Sequence, residues 1–156
     1  MCIRDSYNDP VRQPEAEAEL GATWVSLDEL YARSDFISVN CALTESSRHM
    51  IGREAIAKMK NTAVIVVSAR GGIVDEAALY EALTTGKLGA AGLDVFEEEP
   101  VDPKAPLLQL ENVALSPHLG TSVQETRVKM AVTAAEDVIR VLRDEAPAYP
   151  LFKLSA

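Results

Sequence analysis

Cysteine is nearly absent from this chain: Cys2 and Cys41 are the only two in 156 residues. Neither belongs to a Cys-x-x-Cys or Cys/His pattern, so a disulfide scaffold is excluded and a reducing cytoplasm is the expected compartment. Histidine is equally sparse, with His49 and His118 alone, and without ligand spacing no metal site is expected. Long apolar runs are missing as well. The longest falls far short of the roughly 20 residues that a membrane helix requires. Positive charge is outweighed, with 15 Lys and Arg against 24 Asp and Glu for a net charge of −9. That balance argues against nucleic acid as a partner, which needs clustered Lys and Arg. What is present is 47% hydrophobic residues, enough for one domain-sized core and too few residues for two ordinary domains.

The chain alternates strand-like and helix-like segments, the pattern of a doubly wound parallel α/β sheet. Tyr7-Asn8-Asp9-Pro10 reads as the end of a strand. Residues 15–20 form a short helix closed by Gly21, and residues 22–25 a brief strand. Ser26-Leu27-Asp28-Glu29 is a capping box that opens a helix to about Arg33. Residues 35–40 read as a buried strand and 53–60 as a helix. Residues 62–67, TAVIVV, are almost all apolar, as expected of a strand covered on both faces. Asp75 caps a helix whose Leu79, Ala82 and Leu83 face the core, and Gly86 ends it. Residues 88–95 form a strand rich in small side chains. A loop with Pro100, Pro103 and Pro106 leads to the strand at 112–115. Thr121-Ser122-Val123-Gln124 reads as a second capping box, opening the longest helix. Its apolar stripe includes Val128, Val132, Ile139 and Leu142, and it ends near Arg143.

Three segments follow successive strand-like runs: Ser68-Ala69-Arg70-Gly71-Gly72, Asp94 through Glu99-Pro100, and Ser116-Pro117-His118-Leu119-Gly120. In a parallel α/β sheet the carboxyl ends of the strands are where a site forms. With neighbouring strands about 4.8 Å apart, three adjacent loops converge across roughly 10 Å. Taken singly, Arg70 reads equally as a solvated loop cation, Glu99 as one of three solvated glutamates, and His118 as a satisfied core histidine. Together they suggest an arginine to grip a carboxylate, a histidine to move a proton and a glutamate to support the charged imidazole. That set fits the reduction of a 2-keto acid. His49 lies on a polar stretch and reads as a surface residue.

The segments ARGGIVDEAALYEAL, GLDVFEEEP and SPHLG resemble consecutive signatures of the D-isomer-specific 2-hydroxyacid dehydrogenases, over residues from about Tyr7 to Pro147. The resemblance implies a Rossmann-like fold, Arg70, Glu99 and His118 as catalytic residues, and NAD as cofactor, with NADP as an alternative. It also implies a small 2-keto or 2-hydroxy acid as substrate and a homodimeric parent protein, with glyoxylate/hydroxypyruvate reductases as the nearest pattern. Asp94 then meets the nicotinamide carboxamide, and Ala69, Arg70, His118 and Gly120 line the nicotinamide pocket. Asn40, Cys41 and Thr44 lie beside the adenosine and nicotinamide. Asp9, just after a strand, is the candidate ribose ligand, against ordinary Asp-Pro turn chemistry; Arg12 nearby suits a 2′-phosphate. A non-enzymatic, dinucleotide-sensing corepressor branch carries the same motifs and is the alternative.

The chain departs from the family pattern at Ala42, where proline is usual, and at Val67, where asparagine is usual. No GxGxxG occurs. Gly89 and Gly92 frame a GAAG run inside a strand, where no helix-opening phosphate turn can form. The fingerprint belongs roughly 20 residues before Asp9. There the chain instead has residues 1–6, which resemble a translated sequencing-library adapter and are set outside the fold reasoning. The expected organisation is residues 7–143 as a partial NAD(P)-binding domain lacking its first βαβ portion, and 144–156 as a linker toward a substrate domain. With the strand order 3-2-1-4-5-6, such a chain leaves strand edges unpaired. It is expected to be poorly stable and inactive by itself.

Overall fold

The computed structural model describes residues 4–150; Cys2 and the outer parts of the adapter-like and linker segments lie outside them. Six strands and five α-helices alternate along these residues: β1 (Ser6–Tyr7), α1 (Pro14–Leu20), β2 (Thr23–Trp24), α2 (Leu27–Arg33), β3 (Phe36–Val39), α3 (Arg53–Lys58), β4 (Val64–Val67), α4 (Glu76–Thr84), β5 (Ala90–Leu93), β6 (Val113–Leu115) and α5 (Gln124–Leu142). A 3-10 turn at Pro106–Gln109 precedes β6. The residues fall into two compact units, 1–118 and 119–156.

All strand pairing is parallel, and it divides into two sheets: β1-β2, and β3-β4-β5-β6. The larger sheet is built as its sequence demands. Ile37, Val39, Ile65, Val67, Ala91 and Leu93 point into one core with Ile56 of α3 and Leu79, Ala82 and Leu83 of α4. Each fully buried aliphatic side chain there contributes about 1.5–3 kcal/mol over its exposed state. Gly89 permits β5 to approach β4 closely, since a Cβ there would press on the carbonyls of Thr62 and Ala63.

The capping box at Ser26 forms, with its hydroxyl accepting the Glu29 amide and the Glu29 carboxylate accepting the Ser26 amide. Asp75 caps α4 through the Ala78 amide. Helix α1 ends at Gly21, whose φ of 68° suits glycine.

Between the two sheets, β1 and β3 present unpaired edges to a shared cleft of about 420 Å³, lined among others by Tyr7, Asp9, Leu30, Tyr31, Asn40 and Cys41. The parting of Tyr7's strand from the larger sheet agrees with the strand order expected above.

The structure corrects one expectation, the second capping box, and adds detail toward both ends of the described residues. Ser6 belongs to β1, and the Asp5 carbonyl accepts the Thr23 amide. Ladder bonds involve only backbone, so Asp5 and Ser6 take part in the ladder whatever their origin. The second capping box does not form. Helix α5 begins at Gln124 with Val123 at its N-cap and no side-chain cap, which puts Thr121 too far upstream, while the Ser122 hydroxyl accepts the Arg127 guanidinium instead. The stripe on α5 includes no buried residue. Past the helix, the Asp137 carboxylate accepts the amides of Ala148 and Tyr149, so residues 148–149 are tied back to α5. Those two amides hold the Asp137 carboxyl below its ordinary range.

Candidate active site

Every candidate in the first unit stands at or just beyond the carboxyl end of a parallel strand. Asp9 follows β1, Asn40 and Cys41 follow β3, Ala69 and Arg70 follow β4, Asp94 and Glu99 follow β5, and His118 follows β6. The order β3-β4-β5-β6 places the last four loops side by side.

His118 and Glu99 meet directly. The imidazole Nδ1 lies 2.7 Å from Glu99 Oε2, with both side chains about two-fifths exposed at 45% and 38%. Glu99 Oε1 accepts the Phe96 amide at 3.0 Å. The hydrogen bond from His118, then that of the Phe96 amide, holds the Glu99 carboxyl below its ordinary range, and the Arg70 charge adds to this. A carboxylate on Nδ1 fixes the tautomer and leaves Nε2 as the nitrogen that can exchange a proton with a ligand. His118 is also held at φ 56°, the left-handed region that non-glycine residues rarely occupy.

Arg70 is exposed, and its guanidinium donates to its own neighbour, the Ala69 carbonyl, at 2.8 Å. Gly71 packs so closely under the Phe96 carbonyl that a Cβ at this position would overlap it. That contact locks the Arg70 loop against the Glu99 loop. Asp94 is half-buried, and its amide donates to the Val67 carbonyl, joining the ends of β4 and β5.

The nucleotide-side candidates are more dispersed. Asp9, Asn40 and Cys41 line the cleft between the sheets. One Asp9 carboxylate oxygen accepts the Val11 amide at 2.8 Å in an Asx-turn, so the turn chemistry is real and one oxygen stays available to a ribose hydroxyl. Asn40 donates to Ser38. Thr44 builds a turn with Ser47, each side chain accepting the other's amide. Gly120 lies in the second unit, two residues past His118. Arg12 is spent on Glu17 in a bidentate pair of 2.7 and 2.8 Å, which leaves its guanidinium engaged rather than ready for a 2′-phosphate.

The run Glu97-Glu98-Glu99 is exposed, as is His49, in line with the sequence reading. Glu97 nonetheless bonds the Glu76 amide and lies 3.2 Å from His49 Nε2. Sequence reasoning missed Glu76, Glu97 and His49. Their partners lie 21 to 48 residues away, and no local spacing signals such contacts.

The family model of the D-isomer specific 2-hydroxyacid dehydrogenase NAD binding domain matches residues 3–120. This chain belongs to that family. It is 48% identical over 145 residues to a glyoxylate reductase of Korarchaeum cryptofilum, covering 93% of this chain and 44% of that protein. Among solved structures, a glyoxylate reductase from Paecilomyes thermophila matches 88% of this chain and 41% of its own, at TM-score 0.81 and 42% identity. D-Lactate dehydrogenase with NAD+ from Lactobacillus jensenii matches 96% and 48%, at TM-score 0.86 and 30% identity. The chain thus spans less than half the length of these relatives. All three are reductases or dehydrogenases, and the corepressor alternative finds no support in them.

The residues present fit NAD at two of its parts. Asp9 offers a free acceptor oxygen in the cleft for a ribose hydroxyl, and Asp94 stands half-buried at the end of β5 for the nicotinamide carboxamide. Among the described residues, no glycine-rich turn opens a helix at the cleft to receive the pyrophosphate. No helix among them is long and apolar enough to cross a membrane.

Proposed function

We propose that this domain serves a reductase that converts a small 2-keto acid, of the glyoxylate or hydroxypyruvate kind, to the D-2-hydroxy acid. The observation that carries the reading is the 2.7 Å bond between His118 and Glu99, beside Arg70, on the carboxyl edge of a parallel sheet. Reduced nicotinamide, when bound, supplies the hydride.

The chain's own residues do the rest. Arg70 exchanges its single bond to the Ala69 carbonyl for a bidentate fork on the substrate carboxylate, which orients the keto group. His118 gives a proton from Nε2 to the carbonyl oxygen as the alkoxide forms, and takes it back in the oxidative direction. Glu99 stays ionised and compensates the imidazolium charge, as its lowered pKa allows. Asp9 repels a 2′-phosphate while Arg12 is engaged by Glu17, which favours NAD over NADP.

The compartment is the cytoplasm on this reading, in keeping with the exposed free thiol of Cys41. The longer protein assembles as a homodimer, a feature that sedimentation analysis tests.

The deciding experiment is NADH oxidation with glyoxylate and hydroxypyruvate by the protein that carries this domain. Turnover is expected with at least one of them. Arg70→Ala should raise KM and lower kcat together, and His118→Asn should lower kcat by on the order of 10²–10⁴. Absence of oxidation with every 2-keto acid tried, while NADH binding persists, would overturn the reading.

A further inference from the structure

Glu99 lies in irregular backbone past β5, so something must hold its loop in place. Glu97, two residues earlier, is exposed but bonded into the fold. Its Oε1 accepts the Glu76 amide at 3.0 Å, and the Glu76 Oε1 accepts the Glu97 amide at 2.6 Å. The two residues thus clasp each other through main-chain donors, joining the loop to the start of α4. Burial pushes the Glu76 carboxyl upward, the Glu97 amide opposes that, and the Glu97 charge adds to it.

A second tether comes from His49, whose Nε2 lies 3.2 Å from the same Glu97 oxygen. The His49 amide donates to the Gly72 carbonyl at 2.8 Å, which ties this tether to the loop that bears Arg70. His49 is held at φ 50° in doing so.

The clasp meets the catalytic pair at the two peptides that flank Phe96. The Phe96 amide donates to Glu99 Oε1, the Phe96 carbonyl rests on Gly71, and the next amide, of Glu97, is the one that Glu76 accepts. We propose that Glu97 is a positioning residue for the Glu99–His118 pair: the Glu76–Glu97 clasp and the His49 tether fix the backbone at 96–97, and that backbone aims the Glu99 carboxylate at His118. The inference rests on the functional reading above only where it calls the pair catalytic.

The test is carbon-13 and nitrogen-15 NMR of the full chain, following the Glu99 carboxyl carbon against pH and the Glu76 amide shift. The His118 hydrogen bond, then the Phe96 amide, with the His118 and Arg70 charges behind them, act on Glu99, so its titration midpoint reports the contacts that the backbone at 96–97 arranges. In the wild type it is expected below the ordinary carboxylate range. Glu97→Ala should move it up toward that range and shift the Glu76 amide. Glu97→Gln keeps an acceptor oxygen and should restore most of both signals. If Glu97→Ala does not fold, Glu97→Asp, shorter by one methylene, must show the same upward movement.

An unchanged Glu99 midpoint in a folded Glu97→Ala or Glu97→Asp chain overturns the inference, as does a wild-type midpoint in the ordinary range. These readings do not depend on turnover. A protein with no 2-keto acid reduction but with the predicted shifts refutes the catalytic reading and upholds the positioning one.

Discussion

The two sheets of the first unit are held together by different physics. The β3–β6 sheet is a packing object, with Ala63, Ile65, Ile73 and Leu79 wholly buried in its core. The β1–β2 ribbon has two residues per strand, and its attachments are polar. Arg12 and Tyr7 both bond Glu17, the Trp24 indole donates to the Asp9 carbonyl, and the Asn8 amide donates to the Val25 carbonyl. Hydrophobic burial is indifferent to pH and strengthened by many salts, whereas exposed ion pairs are screened and titrate. The difference teaches where the domain is rigid: the loops proposed for proton transfer hang on the packed sheet, and the candidate ribose ligand Asp9 hangs on the polar ribbon.

The largest expected effect separates the sheets by cavity. Ile65→Ala should destabilise the chain by about 3–4 kcal/mol, read as a fall in the urea midpoint, while Thr23→Ala in β2 should stay within about 0.5 kcal/mol. Equal costs would break the comparison. Next comes hydrogen exchange. Amides of β4 should open only with global unfolding, and those of Thr23 and Val25, which bond the Asp5 and Tyr7 carbonyls, should exchange on the order of 100-fold faster through local opening.

A smaller effect follows pH. Arg12 first, then Tyr7, hold the Glu17 carboxyl down to about 2 from 4.5. A lowered folded-state pKa gives a contribution that is complete above about 4.5 and lost as pH falls toward 2. Trp24, the chain's one tryptophan, should therefore change its fluorescence over that window ahead of the far-ultraviolet circular dichroism. Glu17→Gln should abolish the early change. The smallest effect is Tyr31→Phe. The Tyr31 hydroxyl is buried without a hydrogen-bond partner among the described residues, so its removal should be neutral or slightly stabilising, within about 0.5 kcal/mol in thermal unfolding.

Much of this architecture was legible in the sequence because its determinants are local. TAVIVV leaves little choice but a doubly covered strand, Ser26 and Glu29 carry their cap three residues apart, and Gly71 and Gly72 mark a loop where backbones touch. The three motifs that hold Arg70, Glu99 and His118 follow successive parallel strands, as read, for the same reason. What escaped depends on topology. Glu97 and His49 are exposed, as read, but the bonds of Glu97 to Glu76 and of His49 to Gly72 arise only once α4 and the 44–49 turn fold against their loops. Thr121 misled because a capping box names four residues but not the phase of the helix that follows. Arg12 looked free because Glu17, five residues on, becomes its neighbour only once α1 has formed.

The two histidines share a backbone setting that bears on how the domain can be dissected. Both sit at positive φ, a conformation that costs most side chains about 1–2 kcal/mol and that asparagine tolerates better. Replacing either with alanine therefore makes two changes at once, deleting a ring and loading a strained hinge with a residue ill suited to it. An asparagine scan keeps the hinge and isolates the ring. For His118, the loss from wild type to the asparagine variant measures the chemistry of the ring, and the further loss in the alanine variant measures the bend in the chain.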